Sequence, residues 1–347
     1  MKLTVGILAH NEERAIAATI ASLSAQSIFT DAGVDAQAIV VANGCSDRTA
    51  ETAREALASA QVRDATVVEL AEPGKANAWN VLIHEASRRD TDFFILLDAD
   101  IEFALPDTIR QLIDFLLANP ETMVAADQPM KKFAGAAGPM RTLIRALQKT
   151  GSDGDHALSG QLYAARASAL RAVIMPAGIV VEDGFLRAMI LTRSFSAPED
   201  FARLRRAPGA AHYYQPYETL RAIFRYERRQ AAGTAINRFV YDEFAEWRAR
   251  GIEIVGEIRR RNRDDKGWVE QLIAARAGAA RELLIPKTYV FRRLRRRPGF
   301  SPARFLKLPM VWLAVVYDMI VARAADRELR QRSASPRASH WDAIRTG

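Results

Sequence analysis

Four stretches of the first hundred residues run largely apolar for a few positions at a time: Leu3 to Leu8, Ala38 to Ala42, Thr66 to Leu70 and Phe93 to Leu97. Between them the apolar residues spread out. Ile16, Ile20 and Leu23 recur in the first gap, Arg48 through Leu57 fills the second, and Ala78, Val81, Leu82 and Ala86 form one face in the third. Short continuous apolar runs read as buried strands, and spacing by three or four reads as helices packed by one side. The pattern therefore predicts β-α-β-α-β-α-β, a doubly wound α/β sheet.

The pattern continues with a helix over Pro106 to Leu117, a strand over Met123 to Ala126, a strand over Gly160 to Arg166 and a helix over Ala167 to Val173. Between Lys131 and Ser159 the order loosens. Gly135, Gly138, Gly151 and Gly154 interrupt a short apolar helix around Leu143 to Leu147, as in a flap over a site or a plain surface loop. Phe201 to Tyr214 alternates basic and small residues, as exposed strands do, and Tyr217 to Phe244 reads as one long helix. Residues 245–285 read as helical, interrupted by the charged run Arg259 to Lys266, and 326–347 is polar enough to predict disorder. The domain reading is 1–240 as one α/β unit, with halves at 1–130 and 131–240, followed by a helical extension over 241–325.

Polar residues gather where the strands end. Ala9 to Glu13 follows the first strand, with Asn11 placed to cap the next helix; Asn43 to Asp47 follows the second, with Ser46 or Asp47 as a cap. Lys75 opens the helix after the third strand, a position suited to phosphate. Asp98 and Asp100 close the fourth. In open α/β sheets the ligand crevice lies beyond the carboxyl ends of the strands. Two clustered carboxylates there need a cation, and hard oxygen ligands in small number suit Mg²⁺ or Mn²⁺. A dinucleotide-binding G-x-G-x-x-G and a P-loop G-x-x-x-x-G-K-[ST] are both missing.

The ordered set Ala9-His10-Asn11-Glu12-Glu13, Val41-Ala42-Asn43-Gly44-Cys45-Ser46-Asp47, Pro73-Gly74-Lys75 with Ala78 and Asn80 after it, and Leu96-Leu97-Asp98-Ala99-Asp100 resembles the nucleotide-sugar half of the family 2 glycosyltransferases. That resemblance covers residues 1 to about 240 and implies a GT-A-type sheet that binds a nucleoside diphosphate sugar, UDP-linked by preference. It implies that Ala9, Asn11, Glu12, Asn43 and Asp47 hold the nucleoside, that Lys75 sits near base or phosphate, that Asp98 faces ribose and metal, and that Asp100 ligates a divalent ion on the diphosphate. Many members carry an acid where this chain has Ala42, so Asn43 is the substitute for base recognition.

In the second half, Gly160 to Arg166 and Glu182-Asp183 resemble the family's Gly-x-x-x-x-x-Arg segment and Glu-Asp motif. The resemblance makes Asp183 the general base that removes the proton of an acceptor hydroxyl in an inverting displacement, with Glu182 orienting it. His212 stands where related enzymes bring a histidine toward metal or diphosphate. Arg228 and Arg229 stand in the region whose cations stabilise the departing diphosphate, although Gln230 replaces the usual Trp.

Composition adds location and partners. The chain of 347 residues carries a net charge of +8, and Lys287 to Arg304 holds seven basic residues and no acid, including Arg292, Arg293, Arg295, Arg296 and Arg297. Such a cluster suits anionic lipid head groups, and with no zinc-finger or RNA-binding aromatic signature nucleic acid is not expected. The apolar segment Phe305 to Ala322 is too short and too charged at its flanks to span a bilayer. It reads as an interfacial helix with Trp312 and Tyr317 at head-group depth, or as a helix docking on the catalytic domain or a second subunit. The single Cys45 and the absence of a signal peptide place the chain in the cytoplasm, peripheral on a membrane face, with a lipid-linked or glycan hydroxyl as acceptor. Two other readings stay open: a nucleotidyltransferase, which should carry a glycine-rich basic loop after its first strand, and a non-catalytic sugar-nucleotide sensor, which should lack Asp183.

Overall fold

The computed structural model describes residues 1–60, 62, 64–133, 154–292 and 308–334. Eight strands form one sheet: β1 (Lys2–Ala9), β2 (Asp35–Asn43), β3 (Asp64–Leu70), β4 (Phe93–Asp98), β5 (Ile101–Phe103), β6 (Val124–Lys131), β7 (Leu162–Arg166) and β8 (Leu204–Tyr214), in the order β3-β2-β1-β4-β7-β6-β8-β5. The first four in that order are mutually parallel, as the apolar runs predicted. Beyond β4 the sheet turns mixed, because β7 runs antiparallel to both β4 and β6.

Strand residues alternate between two cores. Leu3, Val5 and Ile7 of β1 and Phe93, Ile95 and Leu97 of β4 pack with the helices α1 (Ile16–Ser24), α2 (Thr49–Ala58) and α4 (Thr108–Ala118). Phe94 and Leu96 face the other core, with α3 (Lys75–Val81), α5 (Ala167–Arg171), α6 (Glu182–Leu191) and α7 (Leu220–Ala249). Both faces of β4 are therefore buried, which is why its sequence is continuously apolar rather than alternating.

The parallel strands end together. Leu8 pairs with Asp98, Ala9 with Ala42 and Asn43 with Leu70, so the loops after β1, β2, β3 and β4 emerge at one edge of the sheet. β7 begins at that edge, where the Asp98 amide donates to the Gln161 carbonyl at 2.9 Å. A chain segment from the second half thereby meets the end of β4.

The carboxyl-terminal part is helical: α8 (Ile254–Asp264), α9 (Trp268–Ala279), the short α10 (Lys287–Val290) and α11 (Leu308–Ala334). The long α7 is capped by Thr219, whose hydroxyl accepts from the Ala222 amide. On α11, Arg330 donates to the carbonyls of Ala277, Ala280 and Glu282, and Asp326 accepts from the Leu284 amide at 2.8 Å.

Several expectations need correction. The interruption expected over Arg259 to Lys266 is confined to the end of that run: α8 continues to Asp264 with ion pairs from Glu257 to Arg260 and Arg261 one turn on, and the break before α9 starts at Asp265. β8 is not an exposed strand but lies between β6 and β5, and its His212 is wholly buried. Residues 326–334 are the last turns of α11, anchored by Asp326, Leu329 and Arg330, rather than part of a loose tail. Within the segment read as an interfacial or docking helix, Asp318 is fully buried and paired with Arg292, which also binds Glu227. Arg292 is thus committed to a protein ion cluster rather than to lipid. Leu143 to Leu147, Arg293 and Arg295 to Arg297 lie outside the described residues.

Candidate active site

Asn43 holds the sheet edge together. It is buried, and its side-chain amide donates to the Ala9 carbonyl at 2.7 Å while its side-chain oxygen accepts from the Gly74 amide at 3.0 Å. His10 reaches the Asn43 carbonyl at 2.7 Å. One residue therefore ties the ends of β1 and β2 to the turn before Lys75. That use of both polar ends argues against Asn43 as the reader of a base. Gly44 follows with φ of 58°, and a Cβ there would press on the Pro73 backbone, so only glycine lets the two loops approach this closely.

The neighbouring loops are joined in the same way. The Asn11 side-chain oxygen accepts from the Ser46 amide at 2.8 Å, so Asn11 bridges two loops instead of capping α1, which has no side-chain cap. Asp47 accepts from the Thr49 amide and hydroxyl and from the Glu13 amide, bonds that hold its carboxyl below the ordinary range even though partial burial works in the opposite direction. The Glu12 amide donates to the Thr49 hydroxyl at 2.7 Å. Ala9, Asn11, Glu12, Asn43 and Asp47 thus form one shelf beside Asp98.

Lys75 crosses from the first half to the second. Its ammonium lies 2.6 Å from Asp98 Oδ1, 2.8 Å from Glu182 Oε1 and 3.4 Å from the Gly160 carbonyl. An ammonium has three protons, and three oxygens take them. Lys75 is therefore a clamp between β4 and the first turn of α6, not a free phosphate binder. Burial opposes its charge, but Asp98 and Glu182 overcome that and hold its pKa above the ordinary lysine value.

The carboxylates respond in opposite directions. Burial pushes Asp98 up to about 6, with Lys75 pulling it down and Asp100 adding repulsion. Burial also pushes Asp183 up to about 6, and adjacent Glu182 adds to the shift. Glu182 itself is penalised by burial, yet Lys75 and then Arg229 offset this and leave it below the ordinary carboxylate range. The cluster so holds an ionised Glu182 beside an Asp183 that titrates near neutrality.

Beneath it, Trp79 donates to the Tyr163 hydroxyl at 2.9 Å, and the void among Lys75, Trp79, Gly160, Tyr163, Glu182 and Asp183 is only about 10 Å³. Such packing fixes the charged groups in place. A cavity of about 750 Å³ opens next to the same turn, lined by Val181, Gly184, Asn237, Arg238, Tyr241 and Lys287 among others. The turn is held from that side: Asn237 donates to the Val181 carbonyl at 2.8 Å and Tyr241 to the Gly184 carbonyl at 3.3 Å.

Gly160 has no spare room. A Cβ on it would lie 3.1 Å from Glu182 Oε1, 3.3 Å from Asp183 Cβ and 3.5 Å from Lys75 Nζ. Gly160→Val should displace the clamp and lower turnover by roughly 10²-fold, the scale set by ångström misplacement. Donor affinity, measured by titration calorimetry, should change far less.

Not every expected residue joins the cluster. Asp100 does: it is exposed beside Asp98 and raises it. Arg229 does as well, donating to the Val180 carbonyl at 3.2 Å and acting on Glu182 and Asp183. Arg228 does not, because its guanidinium pairs with Glu328 of α11 at 3.0 Å. One helix position apart, the two arginines leave α7 in different directions. His212 does not reach Asp100 either: it pairs across the sheet with Phe103, and its Nδ1 meets Asp127 Oδ2 at 2.5 Å in a fully buried pair. Trp79 and Tyr163 were missed from sequence, since a Trp in an apolar helix face and a Tyr in a strand read as ordinary core.

Among the described residues, no three of His, Cys, Asp and Glu meet in a geometry able to hold a metal. Asp98 and Asp100 nonetheless fit a divalent ion that takes most of its ligands from water and phosphate oxygens. The repulsion that raises Asp98 is the kind a cation would relieve.

Residues 4–163 match the model of Glycosyl transferase family 2. No curated protein matches the chain by sequence. Among solved structures, a mannosyltransferase from Pyrobaculum calidifontis in complex with GDP-Man and Mn2+ is similar at 18% identity and a TM-score of 0.54, over 97% of this chain and 88% of that one. Glucosyl-3-phosphoglycerate synthase from Mycobacterium tuberculosis in complex with Mg2+ and UDP follows at 21% identity and 0.45, over 67% and 77%. TarS 1-349 of S. aureus gives 14% and 0.46, over 95% and 92%. The match to glycosyl transferase family 2 falls on the strands and loops of residues 4–163 that build the clustered edge, and the chain has a GT-A-type fold.

Proposed function

We propose that the chain transfers a sugar from a nucleoside diphosphate donor, UDP-linked by preference, to an acceptor hydroxyl with inversion at the anomeric carbon. The observation that carries this reading is the meeting of Asp98, Lys75, Glu182 and Asp183 where four parallel strands end.

Donor and acceptor arrive from the two halves, and the Lys75 clamp sets their separation. The shelf of Ala9, Asn11, Glu12 and Asp47 holds the nucleoside, and Asp98 and Asp100 hold Mg²⁺ or Mn²⁺. That ion supplies positive charge where the leaving diphosphate gains negative charge. Arg229 supports the same charge from α7, and Arg228 has no part in it. Asp183 accepts the proton of the acceptor hydroxyl as its oxygen attacks, while Glu182, kept ionised by Lys75, keeps Asp183 in place and basic. The cavity beside Val181 and Gly184 gives the acceptor room next to this turn. A glycolipid or surface glycan at the cytoplasmic face of a membrane fits such an acceptor.

Inversion is read directly by proton NMR of the first product, whose anomeric configuration should be opposite to the donor's; retention would contradict the direct displacement. The base must be ionised to act, so its pKa sets the acidic limb. With Asp183 near 6, kcat/KM should rise through about pH 6 and level off above about pH 7. A limb near pH 4 would point to an unperturbed carboxylate instead.

A further inference from the structure

We infer that α11 is the element by which this glycosyltransferase rests on an anionic lipid surface, an inference that rests on the membrane placement just proposed but not on the chemistry. Its outward face carries four large apolar side chains, with Trp312 62%, Leu313 69%, Val316 51% and Ile320 51% exposed. At about 100° per residue these four share one arc of the helix with Arg323 and Arg327, both exposed. No acidic residue falls in that arc. The opposite face is spent on the protein: Asp318, Ala322, Ala325 and Leu329 are fully buried against the neighbouring helices.

The outer face is thus apolar along its first turns and cationic along the next. That sequence of chemistry matches a bilayer surface, where apolar side chains enter the acyl boundary and guanidinium groups meet lipid phosphates. A water-facing helix would not place a Trp, a Leu, a Val and an Ile on the side away from its own core. A protein partner would have to offer an apolar patch with acid next to it, whereas an anionic bilayer supplies both everywhere on its surface. None of the described helices is long and apolar enough to cross a membrane, so contact rather than insertion is the geometry available to α11.

The full chain, its Trp312→Ser/Leu313→Ser variant and its Arg323→Gln/Arg327→Gln variant are floated with vesicles of phosphatidylcholine alone and of phosphatidylcholine with phosphatidylglycerol. All four substitution sites lie outside the cluster around Lys75, so donor turnover in free solution serves as the folding control. The expected result is binding to the anionic vesicles, weak binding to the neutral ones, loss in the apolar variant and at least about a tenfold weakening in the arginine variant. Raising the salt should weaken wild-type binding in the same direction. The inference is overturned if wild type ignores the anionic vesicles, or if both variants bind them as wild type does. It is also overturned if the apolar pair instead splits a stable dimer seen by light scattering while vesicles go unbound. Failure of the catalytic reading would look different: vesicle binding intact, with no donor turned over.

Discussion

Asp183→Asn is expected to lower the rate of sugar transfer by about 10²–10⁴-fold, the usual contribution of a positioned general base. The substitution keeps the size and shape of the side chain. Asparagine can still accept from the Gly184 amide, which now lies 2.7 Å from Asp183 Oδ1, so the first turn of α6 should hold. What is lost is the ability to take a proton. The loss should appear in kcat, with the donor dissociation constant within about threefold of wild type, because the donor shelf lies on other strands. The acidic limb near pH 6 should vanish with it. A variant turning over within about threefold of wild type would remove Asp183 from the chemistry.

The second large effect is on stability. Lys75→Met should destabilise the fold by about 3 kcal/mol, since it leaves Asp98 and Glu182 mostly buried beside each other and beside Asp183 without their shared cation. For a chain of this size that corresponds to a melting temperature lower by roughly 4 °C. The pH dependence has a fixed sign. Without Lys75 the already raised pKa of Asp98 moves further up and Glu182 loses the main charge that holds its pKa down, and a raised pKa costs stability as pH climbs through it. The gap between wild type and variant should therefore be widest near pH 8 and narrow toward pH 5, where protonation relieves the repulsion. A uniform gap across that range would mean that Lys75 acts through packing and not through charge.

The parts of the fold legible in the sequence are those in which one side chain decides one outcome. Phe93 to Leu97 is apolar without a break because β4 is buried on both faces, and its acids emerge where the crevice lies. Tertiary pairing is what a single sequence hides. Asn43, Asn11 and Lys75 read as ligand-facing polar residues, but each uses its polar atoms on neighbouring loops, a bond that exists only once the strands are side by side. Arg228 and Arg229 are indistinguishable in sequence, and the presence of Glu328 on a helix a hundred residues later separates them. His212 looked exposed because β8 alternates, and its burial comes from being flanked by β5 and β6. The helical run to Ala334 was masked by its charge, since Asp326 and Arg330 look solvated until their partners around Ala277 to Leu284 are in place.

The measurement that bears most directly on the central claim is calorimetric titration of a panel of nucleoside diphosphate sugars, with Mg²⁺, with Mn²⁺ and with chelator, into wild type and Asp100→Ala. The account predicts that one donor binds, that chelator weakens it severely, and that Asp100→Ala binds no better with metal than wild type does without. If no donor binds under any condition, or if binding is indifferent to both metal and Asp100, the edge where β4 ends is not the donor site.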